Sequence, residues 1–287
     1  QTLLKSNDPK AKKAFDKFLN GIRKNLNPSI SETDAIEMLS QQLITKPVFD
    51  ALFEHYHFTE NNSVSKSMDA ILRVFETKLP PSELEALKRF YESVRMRVRG
   101  INNAEARQRV IKELYDRFFN VAFKKMSERL GIVYTPIEVV DFIIHSVEDV
   151  MKAEFNKSLS DQGVQILDPF TGTGTFIVRL LQSGIIQKND LERKFKSEIH
   201  ANELVLLAYY IASINIEESY HEISGGEYLP FVGGVLTDTF QLTEAQAQGD
   251  FEAALVEDHK RAEKQKKMPM QVVIGNPPYS VGQGDAN

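Results

Sequence analysis

Four consecutive residues near the end of the chain, Asn276, Pro277, Pro278 and Tyr279, follow the apolar run Val272–Ile274. Proline has no N–H to donate to a sheet ladder, so the two prolines must lie beyond a strand. The result is a stiff, extended loop that carries an amide, carbonyl oxygens and an aromatic ring. These oxygens can accept hydrogen bonds from an amino group, and the ring can stack on a flat partner. The stretch predicts a site for a planar amino compound, and a proline-rich strand end without function is the less favoured alternative.

A glycine-rich turn lies about a hundred residues earlier, in the stretch ILDPFTGTGTF over Ile166–Phe176. An apolar strand is predicted to end at Asp168, and a helix follows the turn. Gly172 and Gly174 let the backbone adopt positive φ and approach a ligand closely, and the helix start offers free N–H groups. The stretch matches neither the phosphate loop nor the complete dinucleotide pattern. By itself, the turn is equally consistent with a purely structural role.

Two acids follow further strand-like runs: Glu203 in HANEL and Asp238 in LTDTF. In open α/β sheets, ligands bind at the carboxyl ends of the strands. A carboxylate at such an end can accept both hydroxyls of a ribose, which suits Glu203. Taken alone, Glu203 could equally cap the following helix, and Asp238 is more simply a turn aspartate.

The first part of the chain, from about residue 9 to residue 130, predicts one helix after another. Pro9 suits a first helical position after Asp8, and Ser31–Asp34 and Ser82–Glu85 have the spacing of capping boxes. A long helix is predicted over Ala104–Leu130, closed by Gly131. The sequence therefore begins with an all-α domain.

The pattern changes after Gly131. Thr135 is predicted to cap an apolar helix, with Pro136 at the first helical position and Glu138 as the capping-box partner. Four short apolar runs then alternate with helical segments: VQILD, EIHANE, FVGGVLT and VVIGN. This alternation predicts a parallel sheet with crossover helices. The polar segment Thr243–Met268 is predicted to be a partly helical surface crossover.

Composition narrows the possible classes of protein. The chain has 287 residues, 42% of them hydrophobic and 26% charged, which suits a globular protein of about two domains. It has no cysteine, which excludes disulfides, thiol nucleophiles and cysteine zinc sites. No apolar run approaches the roughly 20 residues that span a bilayer. A net charge of −5 argues against a uniformly basic, nucleic-acid-coating surface.

Together, YTP, DPFTGTGTF, ANE, TDTF and NPPY resemble the gamma-type DNA methyltransferases that use S-adenosyl-L-methionine on N6 of adenine. The resemblance covers about Gly131–Asn287. It implies an α/β fold with a partial Rossmann-like, S-adenosylmethionine-dependent methyltransferase sheet, preceded by the all-α helical domain. The helical front, including FLNGIRKNLNPSISETDAIEML, resembles the segment before the methyltransferase in single-polypeptide type I (type ISP) restriction–modification enzymes. The implied domains are a coupler-like domain over 1–130 and the N-terminal part of a methyltransferase over 131–287.

The resemblance also implies roles for individual residues. It places Tyr134, Thr135 and Pro136 beside the methionine part of the cofactor. It places Asp168, Phe170, Thr171, Gly172 and Gly174 around the methionine and the sugar, Glu203 on the ribose and Asp238 on the adenine amino group. It makes Asn276, Pro277, Pro278 and Tyr279 the catalytic loop, and it implies no metal.

The resemblance further implies double-stranded DNA as a partner of the full-length protein, in the cytoplasm of a prokaryotic cell and without a membrane. We expect the natural chain to continue beyond Asn287 into further strands and a target-recognition domain, with nuclease and translocase domains in the same polypeptide. The isolated piece is expected to be inactive. The alternatives are methylation of a protein glutamine amide or of an RNA base, and a non-catalytic coupling or cofactor-binding module. A nicotinamide oxidoreductase is disfavoured by the incomplete dinucleotide pattern.

Overall fold

The computed structural model describes residues 9–52, 61–76, 81–98, 135–226, 228–241 and 253–278. The chain divides into two compact units. The helical unit comprises Gln1–Asn102 and Leu236–Lys267, and the sheet unit comprises Asn103–Val235 and Met268–Asn287. The predicted helix over Ala104–Leu130 lies outside the described residues.

The elements follow the predicted order of helices first and alternating strands and helices later. In chain order they are α1 (Pro9–Asn25), α2 (Glu32–Leu52), α3 (Ser63–Glu76), α4 (Pro81–Val98), α5 (Ile137–Phe155), β1 (Ile166–Asp168), α6 (Thr175–Gln182), α7 (Leu191–Ser197), β2 (Ile199–Glu203), α8 (Leu206–Ser224), β3 (Gly234–Leu236), a 3-10 turn (Thr239–Gln241), α9 (Ala253–Lys267) and β4 (Val272–Val273).

Capping and periodicity explain the start of the helical unit. Helix α1 begins at Pro9, as predicted, and its core face buries an apolar set at helical spacing: Phe15, Phe18, Leu19 and Ile22. A reciprocal capping box starts α2, because Ser31 N donates to Asp34 Oδ2 at 2.9 Å and Asp34 N donates to Ser31 Oγ at 3.1 Å. This prediction is confirmed.

Two predicted helix starts differ from the structure by one or two residues. Helix α4 begins at Pro81 and not after Ser82, because proline is favoured at a first helical position, where no N–H is needed. The predicted cap at Thr135 is wrong. Pro136 holds the cap position of α5 with φ −56° and ψ 142° and no side-chain cap bond, and its carbonyl accepts from Val140 N at 3.1 Å. This extended ψ moves the helix start to Ile137.

The predicted surface crossover before β4 contains a helix with a buried face. Helix α9 packs against α3 and α1, and Asp258 and Ala262 are each 1% exposed. Asp258 Oδ2 accepts from Leu236 N at 2.8 Å, where β3 ends. The segment is therefore part of the core of the helical unit, and the interpretation as a surface crossover is wrong for this helix.

The predicted parallel sheet is confirmed, with strand order β3-β2-β1-β4. Strand β1 lies between two parallel neighbours, and Ile166 is paired with Ile199 on one side and with Val272 on the other. Residues that follow β1, β2 and β4 therefore meet at one edge of the sheet, which is where open α/β sheets bind ligands.

The core beneath this edge is formed by strand residues and by the apolar faces of α5 to α8. Val140 and Ile144 of α5 and Ile177 and Leu180 of α6 are fully buried. Phe195 stacks on Tyr220, with ring centroids 3.9 Å apart. This packing holds the ends of the strands, and so the loops that follow them, in fixed positions. Across the described parts of the chain, no helix combines the length and the apolar character needed to span a membrane.

Candidate functional site

The turn after β1, here called the glycine loop (Pro169–Gly174), is fixed by bonds to the neighbouring strand. Thr171 N donates to the Asn202 carbonyl at 3.0 Å, and Thr171 Oγ1 donates to the Asp168 carbonyl at 3.0 Å. Gly172 and Gly174 have φ of +56° and +89°, a region that side chains with a Cβ rarely adopt. The loop therefore needs glycine at both positions for conformational reasons alone.

The two glycines have different surroundings. A Cβ on Gly174 would lie 3.2 Å from Ala212 Cα and 3.3 Å from Ile216 Cγ1, so this glycine also brings the loop close to α8. A Cβ on Gly172 would meet no atom of the described residues within 4 Å. Open space therefore lies beside Gly172, as a loop that receives a ligand requires.

Glu203 ends β2 and binds both the glycine loop and the start of the next helix. Its Oε2 accepts from Gly172 N at 2.8 Å, and its Oε1 accepts from Val205 N at 2.7 Å, just before α8. Glu203 therefore ties the glycine loop to Val205, but it does not cap α8, whose N-cap is Val205 without a side-chain cap bond. Burial raises the pKa of Glu203 to about 7, against the opposing effect of these backbone donors.

Asp168 ends β1 and is fully buried. Its Oδ1 accepts from Phe170 N at 3.1 Å, and within the described part of the chain its Oδ2 has no hydrogen-bond partner. Burial raises the pKa of Asp168 to about 8, with a further contribution from the negative charge of Glu203. The edge of the sheet therefore holds two acids that both resist ionisation.

The loop after β4, here called the proline loop (Gly275–Pro278), lies beside the glycine loop. Ile274 N donates to the Leu167 carbonyl at 3.0 Å, and a Cβ on Gly275 would lie only 2.5 Å from Asp168 Oδ1. Asn276 is half-buried, and both prolines are exposed. Tyr279 lies outside the described residues.

Asp238 belongs to the helical unit. It follows β3 and accepts from Phe240 N at 3.0 Å through Oδ1 and from Asn27 Nδ2 at 2.6 Å through Oδ2. The first bond is that of a turn aspartate, which was the simpler sequence interpretation. The second bond comes from the loop between α1 and α2, which the sequence did not indicate.

The segment before α5 was predicted to lie beside the cofactor. Thr135 is half-buried and Pro136 is exposed at the start of this helix, and Tyr134 lies outside the described residues. No hydrogen bond among the described residues links Thr135 or Pro136 to the glycine loop. Their role at the cofactor stays a prediction.

Three residues that support the site were not singled out from the sequence. Asn202 is 1% exposed, and its carbonyl holds Thr171. Asn215 Nδ2 donates to the Thr173 carbonyl at 2.9 Å from α8. Gly275 is the third. Asn202 is next to Glu203 and Gly275 is next to Asn276, both of which the sequence indicated as site residues. No pattern in the sequence indicates Asn215.

Acceptor oxygens gather at this edge of the sheet. Glu203 offers carboxylate oxygens at the strand end, and the space beside Gly172 is open. Within the described residues, Asp168 Oδ2 and Asn202 Oδ1 are buried oxygens without partners, and such atoms normally find a donor from water or a ligand. The described residues include no acidic or histidine cluster able to hold a metal ion.

Comparison with protein-family models assigns the chain to a class. Residues 106–286 match the model described as N-6 DNA Methylase, and the chain belongs to that family. Residues 1–106 match the coupler domain of Type ISP restriction–modification enzymes. A comparison with curated proteins gave no match.

Solved structures give the same assignment. The chain is 49% identical, with a TM-score of 0.83, to a structure titled as a nuclease-deletion mutant of the Type ISP restriction–modification enzyme LlaGI in complex with a DNA substrate mimic. It is 51% identical, with a TM-score of 0.84, to the ATP-dependent Type ISP enzyme LlaBIII bound to DNA. It is 37% identical, with a TM-score of 0.81, to a DrdV–DNA complex.

These likenesses extend over almost the whole chain but only part of each relative. The chain is covered at 100%, 98% and 94%, and it spans 23%, 20% and 26% of the LlaGI, LlaBIII and DrdV chains, respectively. The predicted resemblance to an N6-adenine methyltransferase behind a Type ISP coupler is confirmed, as is the α/β methyltransferase fold.

Proposed function

We propose that this chain is the coupler and the first part of the methyltransferase of an enzyme that transfers a methyl group from S-adenosyl-L-methionine to N6 of adenine in double-stranded DNA. The division is the one expected from the sequence, with the coupler-like domain over 1–130 and the methyltransferase part over 131–287. The enzyme acts in the cytoplasm of a prokaryotic cell, with nuclease, translocase and target-recognition domains on the same polypeptide. The family match over residues 106–286 supports this proposal.

One observation carries the chemistry. The glycine loop and the proline loop lie side by side, because β4 pairs with β1 and Gly275 lies against Asp168. A loop suited to a sugar-bearing cofactor is thereby adjacent to a loop suited to an amino group. Methyl transfer between two bound molecules requires such adjacency.

The residues proposed to hold the cofactor lie at the ends of the strands. Glu203 accepts hydrogen bonds from the ribose hydroxyls. The sugar and the methionine part are surrounded by the backbone of Asp168, Phe170, Thr171, Gly172 and Gly174. The methionine part is adjoined by Tyr134, Thr135 and Pro136. Asp238 accepts a hydrogen bond from the adenine amino group of the cofactor. When bound, S-adenosyl-L-methionine supplies an electrophilic methyl group on a sulfonium centre.

The proline loop orients the target. The adenine must leave the base stack before its amino group is accessible, and Tyr279 stacks on the extruded base. The Asn276 side-chain oxygen and the Pro277 carbonyl would accept hydrogen bonds from the two N6 hydrogens and so orient the amino group. As the N–C bond forms, the sulfonium C–S bond would break, and N6 would lose one proton to solvent. Pro278 keeps the loop stiff. The acceleration comes from orientation and fixed dipoles, so neither a metal nor a covalent nucleophile is required.

Asn276→Ala in the complete natural polypeptide tests this assignment. Transfer of labelled methyl groups to DNA should fall at least about 10²-fold, the cost typical of removing one preorganised polar group, while cofactor affinity stays within about threefold. Asn189→Ala, at an exposed asparagine before α7, is the matched control and should be active. Substantial methylation by Asn276→Ala would remove this residue from the mechanism, and labelling of RNA or protein in place of DNA would overturn the substrate.

A further inference from the structure

Gly275 is a glycine for reasons of space and not of backbone conformation. Its φ lies outside the left-handed region, unlike those of Gly172 and Gly174. A Cβ at this position would lie 2.5 Å from Asp168 Oδ1, while its next contacts, Asp168 Cγ and Pro169 Cδ, would be at 3.4 Å. A Cβ here would therefore force the Asp168 carboxyl group or the backbone of Gly275 to shift.

The carboxyl group that Gly275 meets cannot easily move away. Asp168 is fully buried, and its Oδ1 is held by Phe170 N. Its backbone is held on both sides, because the Asp168 carbonyl accepts from Thr171 Oγ1 and the preceding Leu167 carbonyl accepts from Ile274 N. The burial that raises its pKa also confines it.

The contact joins the two loops of the site at their bases. Asp168 immediately precedes the glycine loop, and Gly275 immediately precedes Asn276. We propose that the Asp168 side chain is a positioning group that sets the distance between the glycine loop and Asn276 by its close contact with Gly275. This inference rests on the proposed methyl transfer, whose rate depends on that distance.

This role differs from the one implied by the resemblance, in which Asp168 belongs to the cofactor site itself. The approach to Gly275 uses Oδ1, whereas the oxygen without a partner among the described residues is Oδ2. The effect of Asp168 on the reaction is transmitted through the backbone of both loops. The contact should therefore affect the rate of transfer much more than the affinity for the cofactor.

A double-mutant cycle in the complete natural polypeptide tests the contact. The variants are Gly275→Ala, Asp168→Ala and the two combined. Gly226→Ala is the matched control, since among the described residues an added Cβ there would meet only Ser224 Oγ, at 3.9 Å. The readouts are single-turnover methyl transfer to DNA, affinity for S-adenosylhomocysteine and the melting temperature.

Gly275→Ala alone should slow transfer by about 10²-fold, the effect expected from a misplacement of about 1 Å, with cofactor affinity within about threefold. In the Asp168→Ala background, the oxygen that obstructs the Cβ is absent, so adding Gly275→Ala should cost no more than about threefold. Gly226→Ala should behave as the wild type.

An equal cost of Gly275→Ala in both backgrounds overturns the proposal, as does wild-type activity of the single variant. If Gly275→Ala alone fails to fold, the same coupling is read from the melting temperature: recovery in the double variant supports the contact, and no recovery overturns it. Failure of the proposed function is a separate result, because the wild-type protein itself would then not methylate adenine.

Discussion

Asp168 and Asp238 both follow parallel strands, but their surroundings differ. Asp168, in the sheet unit, has one backbone donor on Oδ1, and its Oδ2 has no partner within the described residues. Asp238, in the helical unit, has a donor on each oxygen: Phe240 N and the Asn27 amide. One carboxyl group is confined by burial, whereas the other is oriented by hydrogen bonds.

The difference shows that an acid after a strand can have two distinct uses. A buried carboxyl group held by a backbone donor can act as a rigid spacer between two backbones. A carboxylate with donors on both oxygens keeps a lone pair on each for a further donor. Glu203 lies between these cases, since it is bonded through both oxygens and has a raised pKa.

The largest effect is expected at Glu203. Glu203→Ala should lower the affinity for S-adenosylhomocysteine about 10²-fold, because it removes the proposed acceptor of both ribose hydroxyls and releases Gly172, each hydrogen bond contributing about 0.5–1.5 kcal/mol. Asp238→Ala should lower this affinity about tenfold, because the proposed acceptor for the adenine amino group of the cofactor is lost. Calorimetric titration of the complete polypeptide measures both values. An equal or greater loss of affinity in Asp238→Ala would contradict the expectation that Glu203 contributes more to cofactor binding than Asp238.

An intermediate effect, visible as a pH dependence, is expected at Asp168. Its pKa is about 8 in the folded chain and near 3.8 when unperturbed. Between these values the folded state binds more protons than the unfolded state, so this group's contribution to stability falls as the pH rises. Asn cannot ionise, and the stability of Asp168→Asn relative to the wild type should therefore increase from pH 5.5 to pH 8.5. Urea unfolding at both pH values measures the difference.

Asp141 provides a control of opposite sign. Its carboxylate accepts two bonds from Arg179, at 2.7 and 2.8 Å, and these bonds lower the pKa of Asp141. Its contribution is present above the ordinary pKa of an aspartate and is lost in acid. Asp141→Asn should thus be destabilised relative to the wild type at neutral pH and less so in acid. A difference for Asp168→Asn that does not vary with pH would show that burial does not govern that group.

The sequence predicted those parts of the structure that depend on local patterns. All four apolar runs form strands of one parallel sheet, because each is short, apolar and bounded by turn residues. The Ser31–Asp34 box starts a helix, because both of its bonds lie within four residues. The glycine loop follows β1 where it was expected, because positive φ restricts the choice of residue.

Contacts between distant residues could not be predicted in this way. Lys194 lies in ERKFKSE, which has the composition of a solvated helix, yet it is fully buried. Its Nζ donates to the Asp161 and Val164 carbonyls at 2.7 and 2.8 Å and lies 3.0 Å from Glu198. Burial lowers the pKa of Lys194. No local pattern indicates that two carbonyls about thirty residues away compensate a buried lysine.

The same limit applies to the candidate site. Gly275 could be identified as a glycine in a loop, but its contact with Asp168 depends on the pairing of β4 with β1, more than a hundred residues away. Asn27 and Asp238 are separated by 211 residues. The sequence thus indicated that Asp168, Glu203 and Asn276 end or follow strands, whereas their mutual orientation follows from packing.

The smallest effect is expected at Asn27, and it tests whether hydrogen bonds to both oxygens orient Asp238. Asn27 Oδ1 accepts from Ser29 N and Ser29 Oγ at 2.8 and 2.7 Å, which directs Nδ2 to Asp238. Asn27→Ala should lower the free energy of unfolding by about 1–2 kcal/mol, because a largely buried carboxylate loses a donor. Asn25→Ala is the matched control and should cost less than about 0.5 kcal/mol, since among the described residues its Nδ2 donates only to the Gly21 carbonyl within α1. Urea unfolding distinguishes the two. Equal costs would mean that Phe240 N alone orients Asp238, and the two acids would then each depend on a single backbone donor, which would remove the contrast between them.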